Sequence, residues 1–433
     1  MASLPRGFRG LMAAQFLSAL ADHTLLIVTI AHLQYLREPD WWAPLLKFSF
    51  TLAYVVLAPF IGVLADAICK RRLMVWMNAL KLLAAAALLY GAPPLLAFAL
   101  VGLGAAVYAP AKYGLLTESV SPSQLVAANG WLESTVVLSV LLGTALGGLL
   151  ISPLWLQAEA VQQLAGSWPL RAGASAPGLN VSLAVVIAGY VLAACCHLAI
   201  VPSGARYPRR PWHPAALWTH FWRAQATLWQ DRSGGLSLRV TMVVWGLGAL
   251  LQFAVLHWSV QVLGLGLDQA AWLQAVVAVG VVLGAVWVAT RVRLQQATRV
   301  LPLGWVMALV LAASVWVSDW RAAVPALLVL GLLGGMLVVP MNALLQHRGY
   351  RLLTAGQSIA VQGFNENLSI LLMLGLYAGL LALQLPVRAI MLLAALALAV
   401  FVLRVLGSRS RRRTGLQTDR LRLGLSGRLP GRR

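Results

Sequence analysis

Residues 10–33 read GLMAAQFLSALADHTLLIVTIAHL, an apolar run with one acid, Asp22, near its centre. A helix of this length crosses a bilayer at a rise of about 1.5 Å per residue. A carboxylate at that depth costs about 2.5–3.5 kcal/mol on insertion scales, so it is kept where it meets a partner or water. Gln15, Ser18 and Thr29 lie on the same side of the helix. We therefore expect Asp22 to face the protein interior, where it contacts a substrate or only pairs with a neighbouring helix.

The composition is that of a polytopic membrane protein. Hydrophobic residues make up 60% of the 433 residues, charged residues make up 10%, and the mean hydropathy is +0.81. These values exclude a soluble globular domain of this size. The net charge of +21 comes mostly from arginines in short tracts between apolar runs and in the C-terminal tail, so we predict no nucleic-acid partner. The spacing of the three cysteines does not suit zinc, and we predict no metal and no cofactor.

We predict an all-α protein with about twelve membrane-spanning helices. They lie near residues 10–33, 43–66, 72–91, 94–116, 126–151, 180–201, 238–263, 268–290, 299–318, 321–345, 356–382 and 386–406. The basic tracts all fall on one side of this arrangement, and the connections on the other side are nearly neutral. The positive-inside rule therefore predicts that both termini are cytoplasmic. The first run lacks a cleavage-site pattern, so we expect it to be retained as a helix.

A long basic loop divides the spans into two sets of six. The predicted units are an N-terminal half (1–201), a cytoplasmic basic linker (202–237), a C-terminal half (238–406) and a basic, disordered cytoplasmic tail (407–433). Five aromatic residues of the linker have the spacing of an amphipathic helix on the inner leaflet, namely Trp212, Trp218, Phe221, Trp222 and Trp229. Such a helix contacts lipid or a partner, or it only holds the two halves together.

The two halves repeat, and the matched positions are polar residues and prolines inside apolar spans. The matched pairs are Asp22 with Gln252, Pro110 with Pro340, Lys112 with Asn342, Asn129 with Gln362, and Glu133 with Glu366. Two six-helix halves related by an axis along the membrane normal leave this kind of repeat in the sequence of a secondary transporter. The substrate path is then expected between the halves.

Between the second and third spans, residues 62–72 read GVLADAICKRR. Gly62 lets two helices approach closely, and Asp66 is able to cap a neighbouring helix or to meet arginine when the cytoplasmic side is closed. Lys70 and Arg71 complete the pattern, which resembles the loop signature of the major facilitator superfamily. It predicts a gate and says nothing of the substrate. The alternative is a basic cluster that only stops translocation.

Candidate ligand contacts are polar side chains at membrane depth. Glu133 and Glu366 each follow an amide by four residues, so acid and amide share a helix face in the matching place of each half. Lys112 lies near the inner end of the fourth span, and Tyr113 beside it offers a ring with a polar tip. These residues suit a zwitterionic ligand, since they carry charges of both signs.

Buried charges are tolerated in a membrane when they are paired. The available cations are Lys112 and Lys81, and the available acids are Asp22 and Glu133. We predict ion pairs among these four without choosing the partners. For Lys81, near the middle of the third span, a purely structural role is favoured.

Five stretches together resemble the bacterial lysophospholipid transporters of the major facilitator superfamily. They are residues 14–22 (AQFLSALAD), 108–114 (YAPAKYG), 128–130 (ANG), 339–346 (VPMNALLQ) and 360–367 (AVQGFNEN). The resemblance implies movement of lysophosphatidylethanolamine and related lysophospholipids from the outer to the inner leaflet of a Gram-negative inner membrane. It also implies reacylation there by an acyl-acyl-carrier-protein synthetase and acyltransferase, which we expect on a separate protein.

The resemblance also implies which residues contact the substrate. With the residues chosen above, the expected contacts are Asp22, Lys112, Tyr113, Glu133, Gln252, Glu366 and Asn367. We expect Lys112 to meet the phosphate, and Asp22 or Glu133 to meet the amine. The family pattern has an arginine where this chain has Gln252, so the preference among lipid head groups is expected to differ.

Two other functions stay open on the residues alone. One is proton-coupled efflux of amphipathic drugs, with Asp22 or Glu133 as the proton carrier. The other is a scaffold that holds an acyltransferase through the basic linker and tail, although a scaffold has no need of acids at membrane depth. The sequence has no nucleophile elbow and no phosphate-binding loop, so we predict that the chain is not an enzyme.

Overall fold

The structure is a computed structural model that describes residues 7–38, 42–167, 177–205, 207, 213–265 and 267–425. In chain order the α-helices are α1 (Phe8–Tyr35), α2 (Trp42–Val56), α3 (Ala58–Ala67), α4 (Lys70–Leu89), α5 (Pro94–Ser119), α6 (Leu125–Leu150), α7 (Pro153–Leu156), α8 (Glu159–Ser167), α9 (Pro177–Leu198), α10 (Pro214–Gln230), α11 (Arg232–Gln261), α12 (Leu267–Arg291), α13 (Leu303–Ser314), α14 (Trp320–Leu352), α15 (Ala355–Ala382) and α16 (Val387–Leu425). A 3₁₀ helix, Leu294–Val300, precedes α13. Within these ranges the structure contains no strand, so the predicted all-α class is confirmed.

The predicted spans correspond to helices of the structure. Among the described residues, 11 helices are long and apolar enough to cross a membrane, and α2 with α3 brings the total to 12 if that bent pair is one span. The pair is bent by 67°, whereas the apolar run 43–66 predicts one unbroken helix. Pro59 lies in the first turn of α3 and has no N–H to donate to the carbonyl of Val55, so the helix of α2 stops there. The chain is a multi-pass membrane protein.

Each half buries its own apolar core. Helices α1–α9 enclose two clusters of buried apolar residues, and α11–α16 enclose one large cluster. A smaller cluster joins the halves, where Val126 of α6 packs with Ala285 of α12 and Val339 of α14. One turn further along α6, Gly130 has no room for a Cβ atom against Ala289. Small residues therefore let α6 and α12 approach closely at this depth.

One end of the helix bundle carries Lys70, Arg71 and Arg348, and we call it the basic face. The two halves meet there, because Asp66 near the end of α3 contacts Thr354, which caps α15. Arg206, Arg209 and Arg210, three basic residues of the linker, lie outside the described residues.

The halves separate away from the basic face, as one side of α6 shows. Val126, Gly130 and Glu133 lie on this side at three- and four-residue steps and are buried. Thr144 lies about five turns beyond Val126 and Gly148 about five turns beyond Gly130, so both are on the same side. Both are exposed, and a Cβ atom added to Gly148 would meet nothing within 4 Å. The surface of α6 that packs against the C-terminal half at one end is uncovered at the other.

The linker contains an amphipathic helix, as the spacing of its aromatic residues predicts. Leu217 and Phe221 of α10 are buried, while Trp218 and Trp222 are exposed; Trp212 lies outside the described residues. Helix α16 continues past residue 406, the predicted end of the last span, to Leu425, and the disorder expected of the tail stays a prediction. Arginine and leucine dominate this stretch and both favour helix.

Helix α11 begins earlier than the predicted span because Asp231 caps it. The Asp231 carboxylate accepts hydrogen bonds from the backbone N–H groups of Ser233 (3.0 Å) and Gly234 (2.7 Å). It also accepts two hydrogen bonds from Arg348, at 3.1 Å from Nε and 2.6 Å from a terminal guanidinium nitrogen. The hydrogen bond from Arg348 is the main cause that lowers the pKa of Asp231 below its usual range.

This geometry predicts an acid-labile contribution to stability. The folded-state pKa of Asp231 lies below its unfolded value of about 3.9, so the stabilisation is complete above that pH and is lost as the pH falls through the folded value. We expect Asp231→Asn to lower the melting temperature at pH 7 and to flatten the loss of stability below about pH 4. Asp319→Asn is the control, since Asp319 caps α14 through Arg321 N–H but forms no ion pair within 4.0 Å among the described residues. Equal melting curves for Asp231→Asn and wild type would contradict the prediction.

Candidate functional site

Asp22 faces the interior, as predicted, and pairs with Lys81. The Nζ atom of Lys81 lies 2.6 Å from Oδ2 of Asp22, and the Tyr190 hydroxyl donates to Oδ1 at 2.7 Å. Lys81 also donates to Oγ of Ser18 at 3.3 Å. The side chain of Lys81 is 2% exposed and that of Asp22 is 13% exposed. The acid at the centre of α1 is thus neutralised by α4, which is the structural pairing that the sequence left as an alternative.

Other residues hold Lys81 in place. Its Nζ lies 5.2 Å from the ring centroid of Tyr108, and the Tyr108 hydroxyl forms a 2.9 Å hydrogen bond with Nε2 of His197. A Cβ atom added to Gly104 would lie 2.9 Å from Cγ of Lys81. Gly104 therefore leaves the space on α5 along which the lysine side chain extends.

Lys112 is a buried cation that forms no salt bridge with an acid of the described residues. It is 8% exposed, and its Nζ lies 4.4 Å from the ring centroid of Tyr113, a cation–π contact. Among the described residues, no carboxylate oxygen lies within 4.0 Å of this nitrogen. Because a buried ammonium is stabilised by a counter-ion, this lysine is placed to receive an anionic group.

Glu133 and Glu366 lie in one series of hydrogen-bonded side chains, which we call the central network. Tyr113 donates to Oε1 of Glu133 at 3.0 Å, and Nδ2 of Asn342 donates to the same oxygen at 3.2 Å. Gln362 continues this series of hydrogen bonds, since its Nε2 donates to Oδ1 of Asn342 at 3.0 Å and to Oε1 of Glu366 at 2.9 Å. The central network therefore joins α5 and α6 of one half to α14 and α15 of the other.

A second polar contact between the halves lies one turn nearer the basic face. Asn129 of α6 and Gln346 of α14 exchange two amide hydrogen bonds of 2.8 and 2.9 Å. Both side chains are fully buried, at 0% and 1% exposure. Each side-chain amide therefore has a hydrogen-bond partner for its oxygen and for its nitrogen, as buried polar groups require.

Two predicted contacts lie apart from the central network. Gln252 is exposed on α11, and its backbone oxygen accepts a hydrogen bond from the side chain of Gln274. Asn367 is half-buried and donates to the Gly363 carbonyl of its own helix at 2.9 Å. Sequence reasoning did not single out Tyr190, although it is one of a few polar residues in the mainly apolar span 180–201.

The gate motif contacts the opposite half through Asp66. The Gly356 N–H donates to Oδ1 of Asp66 at 2.9 Å, and the Thr354 hydroxyl donates to Oδ2. Asp66 therefore caps the N-terminus of α15, which is one of the two roles predicted for it. A Cβ atom added to Gly62 would lie 2.9 Å from the Cα atom of Gln357, so a glycine is needed where α3 crosses α15.

The basic residues of the motif contact the N-terminal half and the linker. Lys70 lies 2.6 Å from a carboxylate oxygen of Glu118 and 3.7 Å from Asp66. Its Nζ is 4.8 Å from the ring centroid of Tyr207, whose hydroxyl donates to Glu118 at 2.8 Å. Arg71 approaches the carbonyl of Ile200 at 3.5 Å. These contacts fix the end of α3 so that Asp66 is presented to α15.

Removing the Asp66 cap is expected to open the basic face. In Asp66→Ala, the Gly356 N–H and the Thr354 hydroxyl lose a charged acceptor, a type of hydrogen bond worth about 1.5–3 kcal/mol. We expect a cysteine placed at Val126, which is 1% exposed, to react about tenfold faster with a maleimide in a background without native cysteines. Asp231→Ala is the control, because it removes a cap that does not join the two halves. An unchanged reaction rate in Asp66→Ala would exclude this role.

Comparison with known proteins agrees with this architecture. The model of the Major Facilitator Superfamily matches residues 11–372. The chain is 39% identical over 390 residues to the lysophospholipid transporter LplT of Cronobacter sakazakii, covering 89% of this chain and 91% of that protein. It is 38% identical over 377 residues to LplT of Pectobacterium carotovorum, covering 87% and 86%.

Solved structures share the fold at low sequence identity. A variant of the E. coli fucose:proton symporter FucP superposes with a TM-score of 0.70 at 14% identity, covering 92% of this chain and 97% of that one. The human organic anion transporter MFSD10 gives 0.66 at 14% identity, covering 93% and 99%. The family model and the curated relatives extend over most of the chain, and those relatives are transporters. The chain therefore belongs to the major facilitator superfamily and, within it, to the bacterial lysophospholipid transporters.

Proposed function

We propose that this protein moves lysophospholipids, lysophosphatidylethanolamine among them, from the outer to the inner leaflet of the bacterial inner membrane by alternating access. The observation that carries the proposal is the position of Lys112 beside Tyr113 of the central network, a buried ammonium with no carboxylate oxygen within 4.0 Å in the described part of the chain. The names of the relatives that are 38–39% identical point to the same substrate class.

The charges near Lys112 suit a zwitterionic head group. Lys112 binds the phosphate, because an ammonium donates strong hydrogen bonds to phosphate oxygens. Glu133 binds the amine, since among the described residues its carboxylate accepts hydrogen bonds from the neutral groups of Tyr113 and Asn342 and forms no salt bridge within 4.0 Å. Asp22 is less suited to this role because Lys81 already neutralises it. Roles for Glu366, Asn367 and Gln252 stay predictions.

The positive-inside rule assigns the basic face to the cytoplasm. The halves meet at that face and separate beyond Glu133, so the protein has the arrangement expected before a substrate is released inward. A lipid from the outer leaflet would enter along the uncovered side of α6, near Thr144 and Gly148. Surrounding membrane lipids are then direct partners.

Inward delivery of a lysophospholipid supplies the substrate of an acylation reaction. We therefore propose functional coupling to an acyl-acyl-carrier-protein synthetase and acyltransferase on the cytoplasmic side. The bacterial inner membrane is the location that this coupling requires.

A second candidate function is proton-coupled efflux of amphipathic drugs. It is favoured by Glu366, an acid at membrane depth that accepts a hydrogen bond from the neutral amide of Gln362. In that function an acid releases and takes up a proton as the substrate moves, so transport depends on a pH gradient.

The test uses spheroplasts that lack their own lysophospholipid transporter and retain the acyltransferase. We expect externally added, labelled lysophosphatidylethanolamine to become diacyl lipid only when this chain is present. Absence of conversion with the protein in the membrane would contradict the proposal. A pH-gradient-dependent export of amphipathic dyes in the same cells would then favour the efflux function.

A further inference from the structure

We propose that Asn342 is a positioning residue that couples substrate binding to opening of the basic face, because it and the substrate's ammonium group compete for the carboxylate of Glu133. The inference rests on the proposed function and adds to it a route from the site to the gate. Asn342 and Glu133 belong to different halves, so any change in their contact acts directly on the interface.

Two pairs of hydrogen-bonded side chains link α6 to α14, and we call each pair a rung. The two helices run in opposite directions, and residues four apart on each helix face each other, Asn129 with Gln346 and Glu133 with Asn342. All four side chains are at most 4% exposed. The ladder is therefore a defined part of the closed interface.

The two rungs differ in strength and in position. The Asn129 rung has two amide hydrogen bonds of 2.8 and 2.9 Å, whereas the Glu133 rung has one, at 3.2 Å. The Glu133 rung is also the one farther from the basic face, and beyond it the same side of α6 is exposed at Thr144. It is thus the rung that a ligand in the space between the halves reaches first.

An ammonium group is a stronger partner for a carboxylate than a neutral amide is. When the amine of a substrate binds Glu133, Asn342 loses this acceptor and keeps the hydrogen bond from Gln362. The ligand then binds more tightly to the state in which the rung is broken, and this difference in affinity shifts the population towards opening. A lysophospholipid without an ammonium group binds Lys112 and leaves the rung intact.

The test measures the distance between spin labels at Ser123 and Thr290, exposed positions on opposite halves at the basic face. The three native cysteines are replaced in the full-length protein. With lysophosphatidylethanolamine we expect at least a tenfold rise in the ratio of long to short distances. With lysophosphatidylglycerol, which has no ammonium, we expect no rise.

Three variants test separately whether the hydrogen bond from Asn342 keeps the basic face closed and whether opening needs the charge of Glu133. Asn342→Ala and the bulkier Asn342→Leu should raise the open-to-closed ratio about tenfold without any ligand. Glu133→Gln keeps an oxygen that accepts from Asn342 but loses its charge, so it should stay closed when lysophosphatidylethanolamine is added. Asn180→Ala, a buried asparagine of α9 within one half, is the control and should match wild type.

The inference is overturned if both Asn342 variants keep the wild-type ratio, if Glu133→Gln opens with lysophosphatidylethanolamine as wild type does, or if lysophosphatidylglycerol opens the protein equally. Binding of each lipid is measured separately by thermophoresis. Wild-type protein that does not bind lysophosphatidylethanolamine would contradict the proposed function and the ligand step together. Binding without opening would overturn only the coupling.

Discussion

Replacing Lys112 with methionine is expected to lower the rate of lysophospholipid transport about 10- to 100-fold without unfolding the protein. A hydrogen bond between charged groups is worth about 1.5–3 kcal/mol, and each tenfold change corresponds to about 1.4 kcal/mol. Methionine keeps the length of the side chain and removes the ammonium that we assign to the phosphate. Because no carboxylate lies within 4.0 Å of Lys112 among the described residues, the change breaks no contacting ion pair.

The measurements for Lys112→Met are the initial rate of uptake and the melting temperature of the purified protein. We expect the melting temperature to stay close to the wild-type value, since the variant removes a buried charge that forms no salt bridge within 4.0 Å among the described residues and loses only its longer-range attraction to Glu133. Lys47→Met is the matched control, because Lys47 is an exposed lysine of α2, and it should transport at the wild-type rate. Transport by Lys112→Met within twofold of wild type would exclude the assigned role.

Replacing Lys81 with methionine is expected to cause a large loss of stability, whereas Lys112→Met mainly lowers the rate of transport. Lys81 is 2% exposed and holds the Asp22 carboxylate at 2.6 Å. Removing one partner of a buried ion pair costs about 3–5 kcal/mol, because the remaining charge has no counter-ion. Asp22→Asn alone should also destabilise the protein, since it leaves the lysine unpaired.

The double variant Asp22→Asn with Lys81→Met tests whether the loss arises from the unpaired charge. Replacing both charged partners is often nearly neutral, so we expect most of the melting temperature to return. The readout is thermal unfolding in detergent for both single variants, the double variant and wild type. A single variant Lys81→Met as stable as wild type, or a double variant no more stable than the singles, would contradict the pairing.

The helices were predictable because apolar runs of bilayer length are long, well separated and bounded by basic tracts. The break between α2 and α3 was not, since prolines have different effects in different spans. Pro59 ends a helix, whereas Pro110 and Pro340 lie inside the continuous helices α5 and α14. Whether a proline breaks a helix depends on how neighbouring helices satisfy the freed carbonyl group, and a single sequence does not state this.

The sequence identified some of the residues that lie together in the candidate site, and it identified their pairs only partly. The spacing of amide and acid in each half identified Glu133 and Glu366, and both lie in the central network. The sequence did not decide whether Asp22 pairs with Lys81 or Lys112, because both lysines are at suitable depth. The partnership of Glu133 with Asn342 depends on how closely the two halves approach, which is a property of one conformation of the protein.

The most direct test of the account uses purified protein in liposomes that contain a fluorescent lysophosphatidylethanolamine. A membrane-impermeant quencher reports how fast the lipid crosses between leaflets, with no other protein present. We predict that wild-type protein accelerates the crossing and that Lys112→Met, at equal amounts of folded protein, returns it to within a few-fold of empty liposomes. Crossing at the rate of empty liposomes with folded wild-type protein, or equal acceleration by Lys112→Met, would contradict the account.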